Sequence, residues 1–226
     1  MIDSNFLEVF IITNKRESFS YCYKSIENQS MKLPVTVIEG MSFVDANNKA
    51  LKDCKSQFYF RIDDDFILNK HTFSFMCKTL KKHKKRNNVI MYDARLWEDF
   101  TTKVIRGLKI YNSELTRKLG QFKANHLGKI DKIFKKRVEK SKFGTIRDRL
   151  SVVGIHACAS WKEQLRYEEL WTNNAEVKHT KTTRSDMKRY KKSLSYQYDL
   201  SGDFLARLNK KRKSEFHRFL GREGKK

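Results

Sequence analysis

Phe58-Tyr-Phe-Arg-Ile-Asp-Asp-Asp-Phe-Ile-Leu68 sets three consecutive carboxylates, Asp63, Asp64 and Asp65, inside an apolar and aromatic run. Such a run reads as a buried strand. Adjacent acids repel, and a buried ionised carboxylate is costly unless it is paired or bound to a cation. Side chains two apart on an extended chain face the same way. The spacing therefore predicts that Asp63 and Asp65 converge on one divalent ion, with Asp64 turned aside. Mg²⁺ and Mn²⁺ favour such oxygen ligands, commonly together with substrate phosphates. The plainer alternative is an acidic turn at a strand end.

Before this stretch, Phe6–Thr13 (FLEVFIIT) and Leu33–Glu39 (LPVTVIE) have strand character, and Gly40 ends the second. Between them, Phe19–Gln29 carries apolar or aromatic residues at 19, 22, 23 and 26, which is helical spacing. Asp45–Cys54 reads as a short helix, Gln57–Ile62 as the third strand, Thr72–His83 as a helix and Asn88–Ala94 as a further strand. This β-α-β-α-β alternation predicts an α/β fold with a mostly parallel sheet flanked by helices. Ligands of such sheets bind beyond the carboxyl ends of the strands. Thr13 to Arg16, Glu39 and Asp63–Asp65 fall at those ends, so one shared cleft is expected.

Beyond residue 112 the texture changes. Ser113–Lys142 is basic and helix-permissive, Leu150–Ile155 returns to strand character, and Trp161–Trp171 has helical spacing. The remainder alternates Lys and Arg with Tyr and Phe. The expected organisation is a catalytic domain over residues 1–165, with a basic helical insertion at about 113–142, and a basic, aromatic-rich helical extension over 166–226.

The 226-residue chain carries a net charge of +23. Residues 1–100 hold 16 Lys+Arg against 13 Asp+Glu, and residues 101–226 hold 33 against 13. The excess therefore sits in the second part, whose field attracts polyanions: nucleic acid, anionic lipid headgroups or acidic polysaccharide. No run of 18 apolar residues is present, so no membrane span is expected, and the first residues lack a signal-like segment. Cys22, Cys54, Cys77 and Cys158 form no CxxC and read as reduced thiols of a cytoplasmic protein.

The N-terminal part resembles the GT-A glycosyltransferases, in particular family 2. The resemblance rests on Ile11-Ile-Thr-Asn-Lys-Arg16 after the first strand, Lys24-Ser-Ile-Glu-Asn-Gln-Ser30 in the following helix, Glu39 at the end of the second strand, Asn47-Asn-Lys-Ala50, and the DxD-like Asp63–Asp65. It covers roughly residues 6–70. It implies a nucleoside-diphosphate-sugar donor, with UDP the expected nucleotide. The donor would be held by Thr13, Asn14, Arg16, Glu39, Asn48, Asp63 and Asp64, and Asp65 would be catalytic. Val152-Val-Gly-Ile-His-Ala-Cys-Ala-Ser-Trp161 is similar to the His-x-x-x-Ser-Trp segment of several GT-A families. It implies His156 as a ligand of Mn²⁺ or Mg²⁺ beside Asp63 and Asp65, with Ser160, Trp161 and Lys162 closing on the phosphates. His179 is the competing late histidine.

An inverting member also needs a carboxylate base. Glu98-Asp99 and Glu168-Glu169 are both available, and the sequence leaves the choice open. The cationic second part, interleaved with aromatics, suits a nucleic-acid acceptor, with Lys188, Arg189, Lys191 and Lys192 as contacts. Hydroxymethylated bases of phage DNA are the expected acceptor. The alternatives are a surface-polysaccharide transferase touching an anionic membrane, a nucleotidyltransferase, and a non-catalytic nucleic-acid-binding module.

Overall fold

Phe58, Phe60 and Ile62 of strand β3 (Phe58–Asp63) join one buried cluster, and Tyr59 joins another on the opposite side of the sheet. A strand buried on both faces requires a layer over each. The computed structural model describes residues 6–15, 18–83, 86–98, 103–124 and 130–156, and those layers are helical. On one face lie α1 (Phe19–Glu27) and α3 (Thr72–Lys82), which bury Cys22, Ile26, Phe73, Met76 and Leu80. On the other lie α2 (Phe43–Asp53), α4 (Ser113–Leu119) and α5 (Ile130–Glu139), which bury Ala46, Ala50, Leu115, Phe134 and Val138. Two of these helices start at side-chain caps: Ser42 accepts from the Asp45 N–H, and Asn112 from the Leu115 N–H.

The sheet between them adds β1 (Leu7–Thr13), β2 (Val35–Glu39), β4 (Ile67–Leu68), β5 (Val89–Glu98), β6 (Lys103–Asn112) and β7 (Gly144–His156). Its order is β2-β1-β3-β6-β5-β7-β4. β1, β2, β3, β5 and β7 run in one direction, while β6 and β4 run against them. The expected α/β architecture, with a mostly parallel sheet flanked by helices, is the one present. Among the described residues no helix is long and apolar enough to cross a membrane.

Two stretches differ from expectation. Strand β6 was not foreseen, because Arg106 and Lys109 break its apolar pattern, yet Leu108, Ile110 and Tyr111 are buried. Strand β7 begins at Gly144, well before Leu150, because Thr145 to Arg147 pair beside β5 despite their polarity. Within the basic stretch 113–142 the described residues form two short helices, α4 and α5, and Gly120, at a positive φ of 93°, ends α4.

Candidate active site

Asp63 is the last residue of β3, and Asp64 and Asp65 lie in the turn that follows. The two-residue alternation of an extended chain therefore stops at Asp63, and the three acids take three directions. Asp64, 3% exposed, reaches back to β1. Its Oδ2 accepts from the Thr13 hydroxyl at 2.8 Å and from the Asn14 N–H at 3.1 Å. The Thr13 oxygen in turn accepts from the Lys15 N–H at 2.7 Å, with Lys15 in the left-handed region at φ 55°. Lys15 Nζ then meets Glu39 Oε1 at 2.7 Å at the end of β2. The carboxyl ends of β1, β2 and β3 are thus laced together by one relay. Thr13→Val keeps the shape and deletes the hydroxyl, leaving a buried carboxylate short of a donor. We expect a loss of about 1–3 kcal/mol in urea unfolding. A change below about 0.3 kcal/mol would show that the relay is not holding the turn.

Asp65 turns the other way. It is 7% exposed, and its Oδ2 lies 3.5 Å from His156 Nε2 at the end of β7. The pairing that brings them together follows directly in the chain, where Ile67 and Leu68 of β4 stand opposite Ile155 and Gly154 of β7. Gly154 permits that approach: a Cβ there would meet the Ile67 carbonyl oxygen at 2.5 Å. The Phe66 ring meets the imidazole edge-on at 5.2 Å between ring centres. Strand β5 brings the backbone of Glu98 into register with His156.

Asp63 faces a third group. Its Oδ1 lies 3.6 Å from Arg61 Nε, and Arg61, 1% exposed, also binds Asp131 of α5 through both terminal nitrogens at 2.7 and 3.4 Å. Lys109, opposite Arg61 on β6, reaches Asp131 Oδ2 at 2.7 Å. Burial alone would raise the Asp131 carboxyl, but Arg61 and Lys109 hold it well below the usual carboxylate range. Burial and the adjacent Arg61 pull the Lys109 ammonium below its ordinary value despite Asp131. The guanidinium stays charged: burial opposes it, and Asp131 and Asp63 outweigh that cost. A run of buried charges therefore connects the acid turn to α5.

Thr13, Asn14, Glu39, Asp63, Asp64, Asp65 and His156 come to one edge of the sheet, with Glu98 placed there by its backbone register. Asn48, also expected at the donor, lies on α2. Its amide donates to the Phe122 carbonyl at 3.1 Å and accepts the Phe122 N–H at 2.7 Å, pinning the chain after α4. Arg16, Asp99, Ser160, Trp161, Lys162, Glu168, His179, Lys188, Arg189, Lys191 and Lys192 lie outside the described residues. Asp131 and Lys109 were not foreseen as parts of the site's support. Their signal was Arg61 itself, a cation inside the apolar run Phe58–Ile62 that needs a buried partner. Among the described residues, no group of three or more His, Cys, Asp or Glu side chains is arranged to hold a metal ion.

No protein-family model and no curated protein matches the chain. Solved structures share its architecture. The chain is similar to the mannosyltransferase PcManGT from Pyrobaculum calidifontis, solved with GDP-Man and Mn²⁺, at a TM-score of 0.55 and 13% identity, over 92% of this chain and 74% of that one. It is also similar to S. aureus TarS 1-349, at a TM-score of 0.52 and 12% identity, over 84% of this chain and 79% of that one. The same protein solved with UDP gives a TM-score of 0.53 and 14% identity, over 84% and 70%. At these identities the likeness establishes the fold, which is of the GT-A type.

Proposed function

We propose that this protein is a metal-dependent glycosyltransferase that moves a sugar from a nucleoside diphosphate to a hydroxyl acceptor. The observation that carries this reading is the meeting of Asp65 and His156 beyond the carboxyl end of β3, beside the Thr13–Asp64 relay, in the fold of PcManGT and TarS. A carboxylate oxygen and an imidazole nitrogen are donors that Mn²⁺ accepts. Their 3.5 Å separation is long for a hydrogen bond but close to the roughly 3 Å between neighbouring ligands on a cation with ~2.1 Å bonds. The residues therefore fit such an ion, with further oxygens left to the diphosphate and water. Mn²⁺ or Mg²⁺ bound there would neutralise charge developing on the diphosphate leaving group.

The chain's own groups have distinct tasks in this reading. Asp65 and His156 hold the cation. Asp63, 3.6 Å from Arg61, adds a carboxylate next to it. Thr13, Asn14 and Glu39 line the nucleoside end, and Asp64 fixes the β1 turn that shapes it. Glu98, whose backbone is in register with His156, is one candidate to take the acceptor proton, with Asp99 and Glu168 as the others. The acceptor is polyanionic, and nucleic acid with hydroxymethylated bases fits the +23 charge. Such a base would leave its stack to reach the cleft.

The decisive assay measures nucleoside diphosphate release from UDP- and GDP-sugars with Mn²⁺, Mg²⁺ or EDTA. It is paired with transfer to hydroxymethylcytosine DNA, plain DNA and anionic liposomes bearing a lipid-linked acceptor. Metal-dependent release with transfer to hydroxymethylated DNA alone is expected. Release that is indifferent to EDTA would overturn the metal assignment, and transfer on liposomes alone would overturn the nucleic-acid acceptor.

A further inference from the structure

Helix α5 has two stripes. Ile130, Phe134 and Val138 are buried against the sheet, four residues apart. Lys132, Lys136 and Lys140 recur at the same interval and are exposed. Neighbours in that stripe are about 6 Å apart along the axis, roughly every second phosphate of a nucleic-acid strand. Other cations nearby are already committed to the fold. Lys135 lies 3.6 Å from buried Asp93, and Arg137 donates to the Leu119 and Gln121 carbonyls. Lys132, Lys136 and Lys140 enter no ion pair among the described residues. The exposed acids on α4 and α5 are Glu139 and Glu114, and Glu114 is held by Lys118 at 2.5 Å.

The stripe has a direction. The start of α5 is tied through Asp131 to Arg61, two residues from Asp63. Its other end leads to Lys142, Phe143 and Gly144, where the Gly144 N–H donates to the Asn88 carbonyl at 2.8 Å, at the opposite end of the sheet. A basin of about 650 Å³ opens there, lined by Arg86, Asn87, Asn88, Lys118, Lys142 and Phe143 among others. Strand β5 runs from that basin to Glu98 at the candidate cleft, about 30 Å, which is the rise of roughly nine base pairs.

We propose that the outer stripe of α5 and the basin at its end form a track for double-stranded nucleic acid leading to the cleft. The proposal rests on the polyanionic-acceptor reading above and names the surface that would hold that acceptor. Cations meet the phosphates along α5. In the basin, the Asn87 and Asn88 amides offer hydrogen bonds to phosphate and sugar oxygens beside Arg86 and Lys142. A lipid surface fits this face less well. Peripheral membrane binding combines cations with apolar residues that insert. The exposed large apolar residues among the described ones are Tyr23, Val35, Val37, Met41, Phe43 and Phe75, and none lies on α4 or α5.

The test is fluorescence anisotropy of the full chain with a labelled 20-base-pair duplex, titrated across KCl concentrations without donor. K132A/K136A/K140A is compared with K24A/K70A/K78A, which removes equal charge from exposed lysines elsewhere. If each track lysine meets one phosphate, the first triple should lower the slope of log affinity against log salt by about 2.7. The second should leave the slope unchanged, and Lys→Arg at the three track positions should preserve it. Equal losses in both triples, or none in the first, would overturn the track in favour of diffuse charge. Loss of binding to phosphatidylserine vesicles, with duplex binding intact, would assign the face to a membrane instead. Thermal unfolding of each variant excludes misfolding. Because no donor is present, a chain that binds duplex through this track yet transfers no sugar would sink the transferase reading and leave the track standing.

Discussion

Asp65→Ala is expected to cut nucleoside diphosphate release from a sugar-nucleotide donor about a thousandfold while the protein stays folded. Asp65 is the one acid of the three directed at His156, and the pair sits beyond the carboxyl end of β3. A cation held there is worth several kcal/mol to a developing diphosphate, and each 1.36 kcal/mol is tenfold in rate. The fold should tolerate the change, because β4 and β7 remain paired at Ile67–Ile155 and Leu68–Gly154. Asp65→Asn should behave alike, since the amide matches the carboxylate in shape and lacks its charge. Mn²⁺ binding, read by calorimetry or by the spin resonance of the free ion, should weaken in step. Full turnover by the Asp65→Ala protein in EDTA would end the metal-dependent reading. Lost turnover with Mn²⁺ binding unchanged would move the ion elsewhere and leave Asp65 a different task.

The sequence conveyed the parallel half of this fold clearly and its antiparallel half poorly. Strands β1, β2 and β3 are short apolar runs separated by helical periodicity, so their pattern is unambiguous. Strand β6 was hidden because a charge network needs Lys109 on its buried face, and periodicity read without partners counts that lysine as a surface residue. The same limit applies to the acids. Their clustering was legible, and so was their place at a strand end. Their directions were not, because the chain turns after Asp63, and only the tertiary neighbours Thr13, His156 and Arg61 decide where each carboxylate goes. Asn48 sits where the family pattern suggests a donor contact, and only the fold shows its amide bonded to the Phe122 backbone, 74 residues away.

Asp131→Ala should destabilise the protein by about 3–5 kcal/mol in urea unfolding, the largest loss expected from a single change in the described part. Arg61 and Lys109 are buried beside each other, and Asp131 is the carboxylate that both reach at 2.7 Å. Removing one partner of a buried pair leaves an uncompensated charge, which costs more than the pair contributes net. Here two cations are left facing each other. The loss should fall toward the lower end, because the Asp131 side chain is 36% exposed and water softens the defect. The effect of pH follows from the depressed carboxyl. Its stabilisation is complete above the ordinary carboxylate pKa of about 3.9 and disappears only as pH falls through the lower folded value. The gap between wild type and Asp131→Asn should therefore stay constant from pH 7 to about pH 5 and narrow only in stronger acid. A gap that closed between pH 6 and 5 would contradict the depressed carboxyl. The apolar triple Arg61→Met, Lys109→Leu, Asp131→Leu separates structure from site. Buried ionic clusters replaced by apolar residues of similar volume commonly keep or gain stability. The triple should recover most of the lost stability and still bind donor and Mn²⁺ weakly, because Asp63 then has no partner at 3.6 Å to fix the direction of its side chain. Recovery of both together would show that the network only fastens α5 to the sheet.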